Sequence, residues 1–480
     1  MATRALTAPR AGRLPVVDVL VVCAAALVTL ALVAPSYARR PFWFDELVSL
    51  EIAGLEPRAF VAYIFGVESN MALYHAVLAL WLQVGDDEAW VRLPSIVFAL
   101  VTLPFLYVLG RRLFDRTTAA LAVALMCVNV SYVGYARDAR SYALVLLLVT
   151  ASSYFLVRGV QDSRTRDWAG WAVLAGFAVW AHLLAALVVV AQVAWLLLER
   201  RSVPRRQALV AVAGAAALLL PVTLAVVLGG QRAQLDWLDR PGVRQLPGLA
   251  EWFVESRVTL VVYFAGAVAA LAAGVRARDR RPYTLLLLWL LLPPAVAFVL
   301  SYVRDPAYLY RYFLVCLPAL VLLVAAGFAR LRPLWLGIAL TALACALSVR
   351  TVDGCRPDCK IRHDDWEAAV ADLHARARPG DAIVVYPDEV RTPLDHYLGT
   401  ERPRLLYPER WGLVGGETEG AESLDAAMRA AADHPRVWLV TWWLPAEPAR
   451  AALRRRATPI EEREFQGNVH VDLYRTAAPR

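Results

Sequence analysis

Met71-Ala-Leu-Tyr-His-Ala-Val-Leu-Ala-Leu-Trp-Leu-Gln-Val84 is an apolar run of 14 residues in a chain of 480, and whether it crosses a membrane decides the layout of all that follows. A spanning helix needs about 20 mostly apolar residues. This run is too short, so it is expected to form an interfacial or re-entrant helix within a long external loop, residues 36–92. Around it lie eleven candidate spans: 15–35, 93–110, 118–135, 141–158, 167–182, 183–198, 207–228, 258–275, 283–302, 311–329 and 333–350. The first follows Arg4, Arg10 and Arg13, as a signal peptide would, but its apolar run is longer than a signal core and ten more spans follow. It is expected to be an uncleaved first helix.

The arginines fix the direction of each crossing. Arg111, Arg112 and Arg116 follow the second span, and Arg158, Arg164 and Arg166 the fourth. Arg200, Arg201, Arg205 and Arg206 follow the sixth, Arg276, Arg278, Arg280 and Arg281 the eighth, and Arg330 and Arg332 the tenth. With a cytoplasmic N-terminus, every cluster falls on the cytoplasmic side, as the positive-inside rule asks. Had residues 71–84 crossed, all five would face outward. The charge pattern therefore predicts a multi-pass protein whose C-terminal part is extracytoplasmic, and the preference for Arg over Lys with abundant Ala, Val and Leu suggests a bacterial source and so a bacterial plasma membrane.

Composition agrees. The chain is 59% hydrophobic, with a mean hydropathy of +0.49, against roughly 45–50% apolar residues in soluble domains. Its net charge of +8 sits in short clusters between apolar stretches, which is a topology signal rather than a nucleic-acid patch. Lys360 is the only lysine, so any phosphate clamp must be built from arginine. Cys23, Cys127, Cys316 and Cys345 fall in apolar segments and are expected to be inert core residues. Cys355 and Cys359 flank a polar Arg-Pro-Asp stretch; a short-loop disulfide, two free thiols and a metal pair all fit them.

Residues 351–480 differ in kind. Short apolar runs at Asp381–Tyr386, Arg436–Thr441 and Val469–Tyr474 read as strands, and helical patterns occupy 364–377, 421–433 and 446–456. The expectation is a transmembrane part, 1–350, and a small extracytoplasmic α/β domain, 351–480, with a loop at 408–420.

Four external places carry chemistry. Asp45 and Glu46 follow an aromatic cluster, Phe42-Trp43-Phe44, just past the first span; the same pattern describes an interface belt with solvated acids. Tyr135-Ala-Arg-Asp-Ala-Arg-Ser-Tyr142 is a very short turn holding Arg137, Asp138 and Arg140 near the outer surface, where an Arg–Asp pair that only stiffens the turn is the alternative. His182 stands at a tight turn, as a site residue or as a packed or capping one. Arg311 opens a late span amid Tyr308, Tyr310 and Tyr312, able either to snorkel to lipid headgroups or to bind a phosphate in a two-pronged manner. Nucleotide-binding glycine loops, Cys/His metal spacings and Gly-x-Ser-x-Gly elbows are absent from the sequence. Carboxylates are nearly absent from the spans, which argues against an ion-coupled transporter.

At these residues the sequence resembles the GT-C superfamily of membrane glycosyltransferases, in the bacterial branch similar to protein O-mannosyltransferases and lipid A aminoarabinose transferases. The family's aromatic-Asp-Glu motif is Phe44-Asp45-Glu46, and its Pro-Pro-Leu-Tyr-like stretch is Asn70-Met-Ala-Leu-Tyr74, running to Trp81. An Arg-Leu-Pro-Ser opening is Arg92–Ser95, the Arg-Glu-Ala-Arg-x-Tyr turn is Arg137–Tyr142, a Thr-His-Tyr-like turn is Ala181-His182-Leu183, and the late Arg-Tyr is Arg311-Tyr312. The resemblance spans roughly residues 15–350, and Asp365-Trp366 with Gly380-Asp381 extends it into the trailing domain. Two departures stand out: both prolines of the Pro-Pro-Leu-Tyr motif are missing, and Asp138 replaces a glutamate.

The resemblance implies a GT-C-like helical bundle with interfacial helices in its first external loop. It implies transfer, with inversion, of a sugar from a polyprenyl-phosphate donor to an extracytoplasmic glycan, lipid or protein acceptor. Asp45 is then the base, with Glu46 and Asp138 assisting. Arg311, Arg137 and Arg140 hold the departing phosphate, and Tyr74, Tyr142, His182 and Tyr312 line the substrate site. Some relatives use a divalent metal ion and others do not; Asp45, Glu46 and Asp138 would hold one only weakly. The rival readings are a glycolipid flippase or transporter, which has no need of Asp45, and a catalytically degenerate scaffold.

Overall fold

The computed structural model describes residues 15–38, 40–201, 203–228, 238–303, 306–358, 364–398, 404–407, 431–442 and 447–476. In chain order its helices are α1 (Val16–Tyr37), α2 (Phe44–Ala53), α3 (Pro57–Gly66), α4 (Ala72–Trp81), α5 (Glu88–Leu113), α6 (Arg116–Cys127), α7 (Val130–Ala136), α8 (Tyr142–Asp162), α9 (Thr165–Ala181), α10 (Ala185–Leu198), α11 (Arg205–Leu228), α12 (Gln245–Val254), α13 (Arg257–Arg276), α14 (Arg281–Val303), α15 (Leu317–Arg330), α16 (Leu334–Asp358), α17 (Trp366–Arg376), α18 (Arg391–Leu398) and α19 (Glu447–Arg454). Contacts divide the chain into two units, Met1–Ala38 with Ile64–Asp358 and Arg39–Tyr63 with Cys359–Arg480.

The first unit is a helical bundle. Helix occupies all eleven expected spans. Among the described residues, eight helices are long and apolar enough to cross a membrane, or nine if a bent pair counts as one span. The bent pair is α6 and α7, which meet at 61°. The expected single span 118–135 is therefore broken, because Asn129 starts a new helix: its side-chain oxygen accepts from the Tyr132 amide at 3.1 Å. Helices α9 and α10 are shorter, at 17 and 14 residues. The tenth expected span also departs from a simple helix. Tyr310–Cys316 is a 3-10 turn that precedes α15, and Pro318, lacking an N–H, makes the regular α-helical bond to Leu314 impossible at that point. Of the four apolar-segment cysteines, Cys127 and Cys316 are buried as expected, whereas Cys23 lies on an exposed face of α1.

Ion pairs gather eight helix ends at one end of the bundle. Asp18, fully buried at the start of α1, sits 2.5 Å from both Arg111, near the end of α5, and Arg116, which opens α6. Arg112 reaches Asp162 at the end of α8 (3.0 Å), and Arg158 reaches Asp167 at the start of α9 (3.0 Å). Arg281 at the start of α14 pairs with Glu199 just past α10 (3.1 Å), and Arg330 at the end of α15 pairs with Asp115 (2.9 Å). This is the alternation that the arginine spacing predicts. The opposite ends of α5, α8 and α9 bring the other loops together, and α4 lies among them: Trp81 stacks on Trp90 with ring centroids 4.5 Å apart. Ten residues long, α4 does not span.

The second unit is α/β. Its strands are β1 (Ala382–Tyr386), β2 (Arg404–Tyr407), β3 (Arg436–Trp442), β4 (Ala457–Phe465) and β5 (Val469–Thr476), in the order β2-β1-β3-β5-β4. β1 runs parallel to β2 and β3, while β5 is antiparallel to both β3 and β4. Alternation along the strands feeds two cores. Ile383, Val385, Trp438 and Val440 face α17 and α18, while Val384, Val437, Leu439 and Tyr474 face α19. At the starts of β1 and β3, Asp381 accepts from the Arg436 guanidinium (2.7 and 3.1 Å), the Trp438 indole (2.9 Å) and the Arg378 amide (2.9 Å). At the β4–β5 turn Gly467 has φ +86°, and a Cβ there would lie 2.5 Å from the Asp364 carboxylate. The three expected strands are present. β2, β4 and α18 are additions, and Cys359, the Cys355 side chain, the loop 408–420 and most of the pattern 421–433 lie outside the described residues.

Candidate functional site

The sequence-selected residues of the first unit converge where α4, the α7–α8 turn, the α9–α10 turn and the 3-10 turn meet. The α7–α8 turn is tight, with the Arg140 amide donating to the Asp138 carbonyl at 2.7 Å. Arg137 and Asp138 are buried, and Arg137 donates to the Ser36 hydroxyl at the end of α1 (2.5 Å). The Arg140 carbonyl accepts from Ser95 (3.4 Å), which shares a hydrogen bond with the Tyr74 hydroxyl (3.3 Å). One short chain of bonds thus ties α4, α5 and the turn. Arg92, in the same turn of α5 as Ser95, donates to the Tyr37 carbonyl at 2.7 Å.

His182 ends α9 and caps the next turn, so its capping and site readings are not exclusive. Its Nδ1 accepts from the Leu184 amide (3.2 Å), which puts the proton of the neutral ring on Nε2. The ring lies 5.9 Å from Tyr142 and 4.9 Å from Tyr312. Burial, then the positive charges of Arg140 and Arg311, lower its pKa to about 3. Both guanidiniums therefore bear on the same imidazole, and both side chains are half-buried. Tyr142 also packs on Tyr135 (4.6 Å), which leads through Trp252 of α12 (6.1 Å) towards Tyr310 (6.5 Å). Together these residues set Arg140 and Arg311 near a neutral imidazole among tyrosines, groups of the kind that take an anion joined to a flat or apolar group.

Three residues of this region were not among the expected site residues. Asn70 accepts from the Leu183 amide (3.1 Å), pinning the start of α4 to the His182 turn. Met71 adopts left-handed backbone, φ +64°, to make that connection. His75 is 1% exposed, and neither ring nitrogen has a hydrogen-bond partner among the described residues. Burial first and Arg140 second lower its pKa to about 3. The one signal for it in the sequence is a lone imidazole inside an apolar run.

Asp45 and Glu46 belong to the second unit, in the first turn of α2. Glu46 is buried and its carboxylate accepts from the Trp43 amide (3.4 Å), a cap that fixes the helix start. Asp45 is half-buried, and its carbonyl accepts from Ser49 (3.0 Å). The aromatic cluster has a use that neither expectation included. Phe44 packs on Trp442 (4.8 Å), Phe42 meets His396 edge-on (5.7 Å), and the Phe42 amide donates to the Tyr397 hydroxyl (2.7 Å). Thr392 of α18 donates to Glu51 of α2 (3.2 Å). These contacts dock α2 on the sheet domain. Among the described residues no group of three or more His, Cys, Asp or Glu could hold a metal ion.

Comparison with known proteins extends this picture. A family profile described as Dolichyl-phosphate-mannose-protein mannosyltransferase matches residues 71–224. No curated protein matches the sequence. Among solved structures, the apo form of ArnT from Cupriavidus metallidurans aligns with a TM-score of 0.61 at 15% identity, covering 95% of this chain and 97% of that one. The Archaeoglobus fulgidus oligosaccharyltransferase, in complex with zinc and sulfate, gives 0.56 at 11% identity over 88% and 68%. The mycobacterial arabinofuranosyltransferase AftD gives 0.54 at 14% identity over 100% and 41%. Profile and fold bear out the resemblance carried by the motifs: this multi-pass membrane chain has the GT-C fold and is similar to the GT-C superfamily of glycosyltransferases, with ArnT-like and protein-mannosyltransferase-like relatives.

Proposed function

We propose that this chain is a membrane glycosyltransferase that moves a sugar from a polyprenyl-phosphate carrier to an extracytoplasmic acceptor, with inversion. The observation that carries the reading is the convergence of Arg140 and Arg311 on His182 between Tyr142 and Tyr312. Two half-buried guanidiniums beside neutral donors suit the phosphate of a lipid carrier, where Arg can bind in two-pronged fashion. The similarity to ArnT supports it, since the Cupriavidus protein has also been solved with undecaprenyl phosphate and its alignment to this chain has a TM-score of 0.59.

In the proposed reaction the acceptor oxygen attacks the anomeric carbon from the face opposite the phosphate. The bond from that carbon to the phosphate oxygen breaks, and its electron pair leaves with the polyprenyl phosphate. Phosphate is a good leaving group, so no general acid is needed. The acceptor proton passes to Asp45, the base of this scheme. Arg311 and Arg140 offset the charge that gathers on the departing phosphate, and Arg137 and Asp138 hold the turn that presents Arg140. Glu46, already used as a cap, positions Asp45. In the proposed orientation the ion-paired end of the bundle faces the cytoplasm of a bacterial cell, and residues 351–480 lie outside.

Purified wild-type and Asp45→Asn proteins, incubated with radiolabelled polyprenyl-phosphate sugars, provide the test. Loss of transfer with carrier binding retained supports the scheme. Normal transfer by Asp45→Asn removes the base assignment, and carrier binding without transfer by wild type favours a flippase instead.

A further inference from the structure

We propose that His75, on α4, is a phosphate-binding residue of this protein, its imidazole N–H donating to a phosphoryl oxygen held beside Arg140. This rests on the carrier reading above and names a residue that the sequence motifs do not include.

Burying an imidazole with both nitrogens unsatisfied is costly, because each lost hydrogen bond goes uncompensated. The fold accepts that cost at His75 and places it beside a cation. Tyr74, the adjacent residue, is two hydrogen bonds from the Arg140 carbonyl through Ser95, so the spacing between α4 and the α7–α8 turn is fixed by side chains. The start of α4 is fixed as well, through Asn70 on the Leu183 amide. An apolar side chain would fill the same volume without leaving polar atoms unmatched. What an imidazole adds is a neutral donor, and a neutral donor next to a guanidinium is complementary to an anion oxygen that accepts from both. His182 shares these features: it is buried, the charge of Arg140 bears on its ring, and its Nε2–H also lacks a partner among the described residues. In the proposed site these two neutral N–H donors and Arg140 share one anionic group.

The test measures binding of undecaprenyl phosphate and of undecaprenol to the full-length protein in detergent, for wild type, His75→Phe and His75→Gln. His75→Phe is expected to bind the phosphate at least tenfold more weakly, with undecaprenol binding unchanged. His75→Gln, which keeps a neutral N–H, stays within about threefold of wild type, less than the tenfold that 1.4 kcal/mol represents. A second readout separates binding from structure: removing an unsatisfied buried ring should leave the melting temperature of His75→Phe equal or higher. Equal phosphate affinity in His75→Phe and wild type overturns the proposal. If the phenyl ring destabilises the protein, His75→Leu carries the same comparison. If wild type itself fails to prefer the phosphate over the alcohol, the carrier reading falls first, which is a distinct outcome.

Discussion

Replacing Asp381 with alanine should open the sheet domain from its centre. The carboxylate is 2% exposed and takes four hydrogen bonds, two from Arg436, one from the Trp438 indole and one from the Arg378 amide. Alanine leaves a buried indole N–H without an acceptor and Arg436, itself mostly buried, without its counter-charge. Breaking a buried pair from one side costs about 3–5 kcal/mol. Each 1.4 kcal/mol is a factor of ten, so the opening equilibrium of β1 and β3 should rise about 10²- to 4 × 10³-fold. Hydrogen exchange read by mass spectrometry on the full chain in detergent measures it, because core amides report that equilibrium. Asp381→Asn, which keeps one acceptor oxygen, should fall between. Amides of β1 and β3 exchanging within about threefold of wild type in Asp381→Ala would refute the view that this carboxylate organises the domain.

Three further outcomes are expected. Gly327→Ala drives a Cβ into the Gly266 carbonyl where α15 meets α13, so it should destabilise by about 1–3 kcal/mol; Gly214→Ala, whose Cβ meets nothing closer than 3.9 Å, should be neutral or stabilising in the same thermal melt. His75 and His182 are neutral in the fold down to about pH 3, whereas an unfolded imidazole gains a proton below about 6.5. Protons therefore favour the unfolded chain between those values, stability should fall as pH drops from 7 to 4, and His75→Phe should show a shallower fall in its melting temperature. Arg311→Gln should weaken undecaprenyl phosphate binding about 10- to 100-fold, the worth of a charge-assisted bond, while Arg111→Gln at the ion-paired end should leave it unchanged; equal effects would remove Arg311 from the phosphate site.

The bundle was legible because a membrane span demands length and apolarity that few other structures need, and because arginines mark alternate helix ends. The break between α6 and α7 was legible in principle, since Asn129 is a helix-start residue inside an apolar run. In the sheet domain, β1, β3 and β5 are buried on both faces and stand out as apolar runs. β4 is an edge strand whose Glu461, Glu462, Arg463 and Glu464 hide its period, as charged edges do. The docking of Phe42 and Phe44 on the sheet domain was not legible, since aromatics in a membrane interface and aromatics in a core look alike in sequence. Nor was His75, because burial without a partner is a property of surroundings that one chain position does not reveal. That Arg140, His182 and Arg311 lie near one another was legible, because each stands at a turn between spans.

The second unit is assembled from two stretches, Arg39–Tyr63 and Cys359–Arg480, with about 300 residues between them. Trp442 follows Phe44 by about 400 residues, so at about 5–20 residues per second of synthesis α2 waits roughly 20–80 s for the strand it docks on. Throughout that interval Phe42 and Phe44 lack Trp442 and Tyr397, and the acidic turn bearing Asp45 is held only by its own helix. Any activity that depends on Asp45 is therefore withheld from nascent chains until the last segment has been made.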